Sequence, residues 1–158
     1  MRAGTFDEVE FFRALEASGV RALLIGRRAM VVLGLPVLTA DYDFWISAGD
    51  AAAFNAAAKP FDLHPTKSPD EARRSGRYVL ENDEHIDVLV ARAVAARSGE
   101  VVAFDEVWQG RQQILLADDV YVNIPTLDDL IRTKRFALRS KDLEDIRMLE
   151  ILKTRGRR

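Results

Sequence analysis

Residues 21–46 constrain what this chain can fold into more than any other stretch. The apolar run Ala22-Leu23-Leu24-Ile25 stops at Gly26, which reads as a buried strand ending in a turn. A short apolar helix is expected over residues 27–33. Gly34 closes it, because glycine takes the left-handed cap conformation at little steric cost. Leu35-Pro36 cannot continue that helix, and the chain re-enters a strand carrying Asp41 and Asp43. Alternate strand residues share a face, so the two carboxylates project together. Like charges held on one face repel unless a cation lies between them, one is protonated, or both reach water. The arrangement suggests a site for a divalent metal.

Strand, glycine turn, short helix and Asp-x-Asp strand together resemble the nucleotidyltransferase fold. The similarity is to its small prokaryotic branch, which includes abortive-infection toxins and minimal antibiotic-modifying-type transferases. That branch's pattern reads Gly-Gly/Ser, an Ala two residues on, then Gly, Pro, Arg-x-Thr and Asp-x-Asp. Gly26, Ala29, Gly34, Pro36, Thr39, Asp41 and Asp43 stand in register with it. Three positions depart: Arg27 where a small residue is usual, Leu33 where His is common and Val37 where Arg is common. The ending of the chain adds to the resemblance. Thr126-Leu127-Asp128-Asp129-Leu130-Ile131, then Lys134, then Arg139-Ser140-Lys141-Asp142-Leu143-Glu144-Asp145-Ile146 is similar to the same branch's LxDLIxxK…RxKDLxDI. The likeness runs over residues 11–152, and only residues 59–77 have no counterpart in it.

Bulk properties are permissive. A chain of 158 residues predicts one domain, large enough to hold a core without covalent staples. It has no cysteine, which excludes disulfides and thiolate metal sites and fits a reducing cytoplasm. No run approaches the roughly 20 apolar residues of a membrane span, and the first residues lack a signal-peptide core, so no membrane partner is expected. A net charge of -2 gives no global pull toward nucleic acid, so any phosphate binding must be local.

The rest of the chain predicts an α/β (α+β) fold, a mixed and largely antiparallel sheet flanked by helices. A first helix over residues 7–18, capped by Thr5 or Asp7, carries Val9, Phe12 and Leu15 along one stripe. An alanine-rich helix over 51–58 ends at Lys59-Pro60, and residues 61–64 read as a short edge strand between prolines. Residues 66–76 read as a loop, or as a ragged helix over 69–74, and as the most mobile segment. Two hairpins follow, 77–80 with 85–90 and 112–117 with 120–124. A small-residue connection over 91–100 and a helical turn over 104–110 lie between them. Thr126 caps a helix carrying Leu130, Ile131, Lys134 and Leu138. A last helix starts at Asp142 with Leu143, Ile146, Leu149 and Leu152 or Ile151 inward, and the final residues fray.

The resemblance implies a chemistry. Asp41 and Asp43 would hold metal, and Asp87, on the neighbouring strand, would be the third carboxylate of a site binding two Mg2+ ions. The three would be both metal ligands and catalytic groups for moving a nucleoside monophosphate from a nucleoside triphosphate to a hydroxyl. Gly26 and Thr39 are expected beside the nucleotide. By resemblance Lys134 and Lys141 point to its phosphates or sugar; read as residues alone, Lys134 is an outward helix position and Lys141-Asp142 a helix-start salt bridge. Arg27 or Arg28 either swings out as a bidentate phosphate fork or, in the opposite reading, Arg27 fills the pocket and leaves a degenerate binding module. The acceptor class is open among protein, RNA and small molecule, and a homodimer would supply an acceptor wall. A toxin–antitoxin role belongs to the same branch. His64 and His85 have ordinary surface or strand-edge roles in this reading, Trp45 and Trp108 belong to the core, and Arg73, Arg74 and Arg77 form a solvated face or contact an acidic acceptor.

Overall fold

The structure, a computed structural model, describes residues 6–156. Thr5, the alternative first cap, and the terminal Arg157 and Arg158 lie outside the described residues. Helix α1 (Glu8–Ser18) is capped by the Asp7 carboxylate, which accepts from the Glu10 amide, and closed by Gly19 at φ 76°. Strand β1 (Ala22–Ile25) leads directly into α2 (Gly26–Val32), and Gly34, at φ 90°, turns the chain away toward β2 (Asp41–Ile46). Then come α3 (Ala51–Ala58), β3 (His64–Pro65), α4 (Pro69–Ser75), β4 (Arg77–Glu81) and β5 (His85–Val90).

The central sheet has the order β1-β2-β5-β4-β3. Only β2 and β5 run parallel; every other neighbour in it is antiparallel, as expected for a mixed sheet. One face buries Leu24, Tyr42, Phe44, Ile86, Val88 and Leu80 against α1 and α3, where Phe11 meets Phe44 and Phe54 at ring-centroid distances of 6.1 and 6.2 Å. The other face carries the alternate residues. Its lower half is closed by Leu23 and Trp45 packing on Phe104 and Val107 of α5 (Phe104–Gly110). Its upper half is left open for the site. Trp45 is fully buried and donates its indole N–H to the Ala91 carbonyl at 3.0 Å; Trp108 is half-buried, with Arg111 stacked 3.9 Å over its ring.

Two local expectations are corrected, and a third, open between loop and helix, is decided. Residues 59–61 form a 3₁₀ turn, and the edge strand is the shorter His64–Pro65, because Asp62 takes a left-handed conformation that ends the turn before pairing begins. Segment 66–76 contains a regular helix: Ser68 and Glu71 make a reciprocal capping box and Gly76 closes the end. The connection after β5 holds a small hairpin, β6 (Ala93–Ala95) with β7 (Val101–Ala103). The hairpin of β8 (Gln112–Ala117) and β9 (Val120–Ile124) forms as expected, and Val120, Val122 and Ile124 join the main core.

The C-terminal pair is α6 (Leu127–Lys134), which stops at Lys134 short of Leu138, and α7 (Ser140–Arg155). Helix α7 turns Leu149 inward and packs Ile146 on the core as expected, but Leu143 does not follow them. Its buried side chains are Asp142, Asp145 and Leu149, while Leu143 and Ile151 face outward at 53% and 49% exposure. Two cations beneath the helix, described next, draw its carboxylates inward.

Candidate active site

Strand register builds the site. Asp43 pairs with Asp87 across the parallel β2–β5 ladder and with Ile25 across the antiparallel β1–β2 ladder. Asp41, Asp43 and Asp87 therefore stand on one face, opposite the apolar Tyr42, Phe44, Ile86 and Val88. Gly26, immediately after β1, lies against Asp43. Its φ is 71°, and a Cβ there would collide with the Asp43 carboxylate, with Cβ and Cγ of Asp43 at 3.0 Å. Glycine is required at that position twice over, by backbone conformation and by space. Gly26→Ala is expected to cost about 1–2 kcal/mol from the left-handed backbone alone and to displace the Asp43 carboxylate as well. Urea unfolding measures the first effect, and a crystal structure of the variant the second.

The three carboxylates open into a cavity of about 200 Å³. Burial raises the Asp43 carboxyl above the ordinary carboxylate range, and the negative charges of Asp87 and Asp41 raise it further; Lys134 and Lys141 oppose them. Negative charge here is under-compensated. Among the described residues no group of three or more His, Cys, Asp or Glu side chains is placed to hold a metal ion. The hard oxygen donors that line the cavity are Asp41, Asp43 and Asp87, the ligand type that magnesium takes.

The cations divide into paired and unpaired. Asp145, fully buried, accepts from Arg27 Nη2 and Nε at 3.1 and 3.2 Å and from Lys134 Nζ at 2.7 Å. Burial would push the Asp145 carboxyl up, but the hydrogen bonds from Arg27 and Lys134 outweigh it and hold it below the ordinary range. Asp142 accepts from the Arg139 amide and Nε at 2.8 and 3.2 Å, with Lys134 Nζ 4.0 Å away. It pairs with these two and not with its neighbour Lys141. Lys141 and Arg77 also line the cavity, and no side-chain hydrogen bond or ion pair engages either among the described residues.

Gly26, Arg27, Thr39, Lys134 and Lys141 all reach the cavity wall. Arg27 lies on the cavity wall and is held there by an ion pair with Asp145. It forks onto Asp145, donates to the Leu38 carbonyl at 3.4 Å and does not bond to Asp41, Asp43 or Asp87. Arg28 lies elsewhere: it stacks 4.2 Å over the Tyr42 ring and donates to the Thr39 and Asp41 carbonyls. Thr39 Oγ1 accepts from the Asp41 amide at 3.2 Å, so it shapes the approach to the first carboxylate. Lys134 is buried rather than outward. His85 Nε2 lies 3.3 Å from Asp87 Oδ2 and its Nδ1 3.5 Å from Glu81, closer to the carboxylates than a plain edge role implies. The arginine cluster is split: Arg73 pairs with Asp70, and Arg77 turns into the cavity.

Fold and site together define a class. The chain has the nucleotidyltransferase fold, with an acidic triad on the open sheet face. No protein-family model and no curated protein matches the chain. Among solved structures it is similar to a protein from Thermotoga maritima assigned as a nucleotidyltransferase: TM-score 0.58, 11% identity, covering 92% of this chain and 89% of that one. It is also similar to ANT(2″)-Ia in complex with adenylyl-2″-tobramycin: TM-score 0.59, 16% identity, covering 94% of this chain and 93% of that one. The solution structure of the antibiotic-resistance factor ANT(2″)-Ia gives the same TM-score of 0.59 and 16% identity, with 94% and 88% covered. No helix among the described residues is long and apolar enough to cross a membrane.

Proposed function

We propose that the chain is a Mg2+-dependent nucleotidyltransferase that moves a nucleoside monophosphate from a nucleoside triphosphate to a hydroxyl. The observation that carries this reading is the register-locked triad: Asp43 faces Asp87 across a parallel ladder, and a glycine is held against it by space and backbone conformation. In this reading Asp41, Asp43 and Asp87 hold two magnesium ions, which when bound supply Lewis-acid stabilisation of the attacking and leaving oxygens. The acceptor oxygen bonds to the α-phosphorus, the bond from that phosphorus to the β-phosphate oxygen breaks, and pyrophosphate leaves. Asp87, half-buried and open to the cavity, accepts the hydroxyl proton. Lys141 meets the triphosphate, and Lys134, anchored by Asp145, adds positive potential behind it.

A second reading keeps the fold without turnover, as a binding module, and draws on Arg27. An arginine where a small residue is usual, clasped to Asp145, narrows the approach to the Gly26 turn. Calorimetry with the four ribonucleoside triphosphates, with and without Mg2+, separates the two. The enzyme reading expects Mg2+-dependent binding that is lost in Asp41→Ala/Asp43→Ala. It also expects binding about tenfold weaker in Lys141→Gln, the scale of one charge-assisted contact. Absence of binding to all four triphosphates selects the second reading.

A further inference from the structure

We infer that the acceptor carries a phosphate beside its hydroxyl and that Arg77 is the residue that selects it; the inference rests on the nucleotidyltransferase reading above. Gly26, at the end of β1, and Arg77, at the start of β4, flank the carboxylate strands β2 and β5 on opposite sides. Three strand spacings, about 14 Å, separate β1 from β4. Arg77 pairs with Leu89, two residues beyond Asp87 and on the same face, so its side chain rises beside the triad rather than behind it.

The donor flank is already cationic. Arg27, Lys134 and α7 are tied together there by Asp145, and α7 begins with Lys141. In-line displacement puts the incoming hydroxyl and the departing pyrophosphate on opposite sides of the reacting phosphorus. With the triphosphate on the α2–α7 flank, the β4 flank belongs to the acceptor.

Arg77 is built into that flank. Its carbonyl is gripped by Lys67 Nζ and Ser75 Oγ, each at 2.9 Å, and Gly76 before it closes α4. Its guanidinium has no carboxylate partner among the described residues, whereas Arg27 and Arg139 each have one. A free, planar guanidinium facing a reaction centre matches phosphate bidentately and repels a cation. A polycationic aminoglycoside such as tobramycin, whose adenylyl product ANT(2″)-Ia holds, would meet like charge here.

The test is transfer of label from α-32P nucleoside triphosphates, with Mg2+, to three probes. These are an RNA dodecamer with a free 3′-hydroxyl, ribose 5-phosphate and tobramycin. Triphosphate binding is measured separately by calorimetry. Label is expected on a phosphate-bearing probe, the dodecamer or the sugar phosphate identifying its source, and not on tobramycin. Arg77→Gln should raise the KM for that probe about tenfold while leaving the triphosphate KM within about twofold, and Arg77→Lys should restore part of the loss. Label on tobramycin, or on none of the probes while triphosphates bind, overturns the acceptor assignment and leaves the transferase reading standing. An equal rise in both KM values makes Arg77 a donor-side residue and also overturns it. Failure of wild type to bind any triphosphate overturns the transferase reading and this inference with it.

Discussion

Replacing Asp145 by alanine is expected to lower the unfolding free energy by about 3–5 kcal/mol, the cost of breaking a buried ion pair by removing one partner. Asp145 is fully buried and satisfies two cations at once, Arg27 through both nitrogens of one edge and Lys134 through its ammonium. Lys134 is itself only 7% exposed, so once the carboxylate is gone its charge has Asp142, at 4.0 Å, as its nearest remaining partner. Arg27 is 28% exposed and recovers some hydration, which places the main loss at Lys134. Asp145→Asn should lie between, since the amide oxygen still accepts one hydrogen bond. Urea unfolding of the two variants, together with Lys134→Met/Asp145→Ala, reads the origin of the loss. If stranded charge dominates, the double variant is more stable than Asp145→Ala alone. A loss below about 1 kcal/mol for Asp145→Ala would mean that water reaches Lys134 and that the cluster is not a buried hub.

The same cluster shows where sequence patterning stopped. Glycine punctuation and strand alternation located β1, α2 and β2, and with them Asp41 and Asp43, because each rests on a local rule: a glycine where φ is positive, a period of two on a half-buried sheet. Asp87 was legible as a lone acid in an apolar strand, and its alignment with Asp43 needed the pairing of β2 with β5. Helix α7 was read from its leucines and isoleucines, which put Leu143 inward. Apolar periodicity ignores charge, and here two carboxylates occupy the inner face because Arg27 and Lys134, more than ten residues upstream of Asp145, wait beneath it. The available signal was the spacing of Asp142 and Asp145, three apart and so on one helical face, with Leu149 four further on. Arg77 is legible only as one of a cluster with Arg73 and Arg74, either a solvated face or a contact for an acidic acceptor, and the turn at Gly76 is what separates it from them and lays it into the sheet.

Asp43→Asn is expected to stabilise the free protein and, under the proposed function, to cut its turnover. The Asp43 carboxyl is raised above the ordinary range by burial and by the charges of Asp87 and Asp41, so the folded chain holds its proton to higher pH than the unfolded chain does. Between the ordinary carboxylate value and that raised value the folded state binds more protons. Stability therefore falls as pH rises through the window and stays lower above it. Asparagine carries no charge to desolvate and none to repel, so in the absence of metal the substitution should add about 0.5–2 kcal/mol at neutral pH and flatten the pH profile across the window. Under the proposed function the same change removes a metal-holding oxygen, and turnover should fall by about 10²–10³-fold, the cost of losing one preorganised electrostatic stabiliser. Thermal unfolding with and without Mg2+ and nucleotide measures both halves. Wild type should gain stability from the ligand pair and Asp43→Asn should not, so that the order of the two proteins reverses once ligand is added. A triad that held no ligand would give no such crossing, because the stability difference between the two proteins would then be the same with and without Mg2+ and nucleotide.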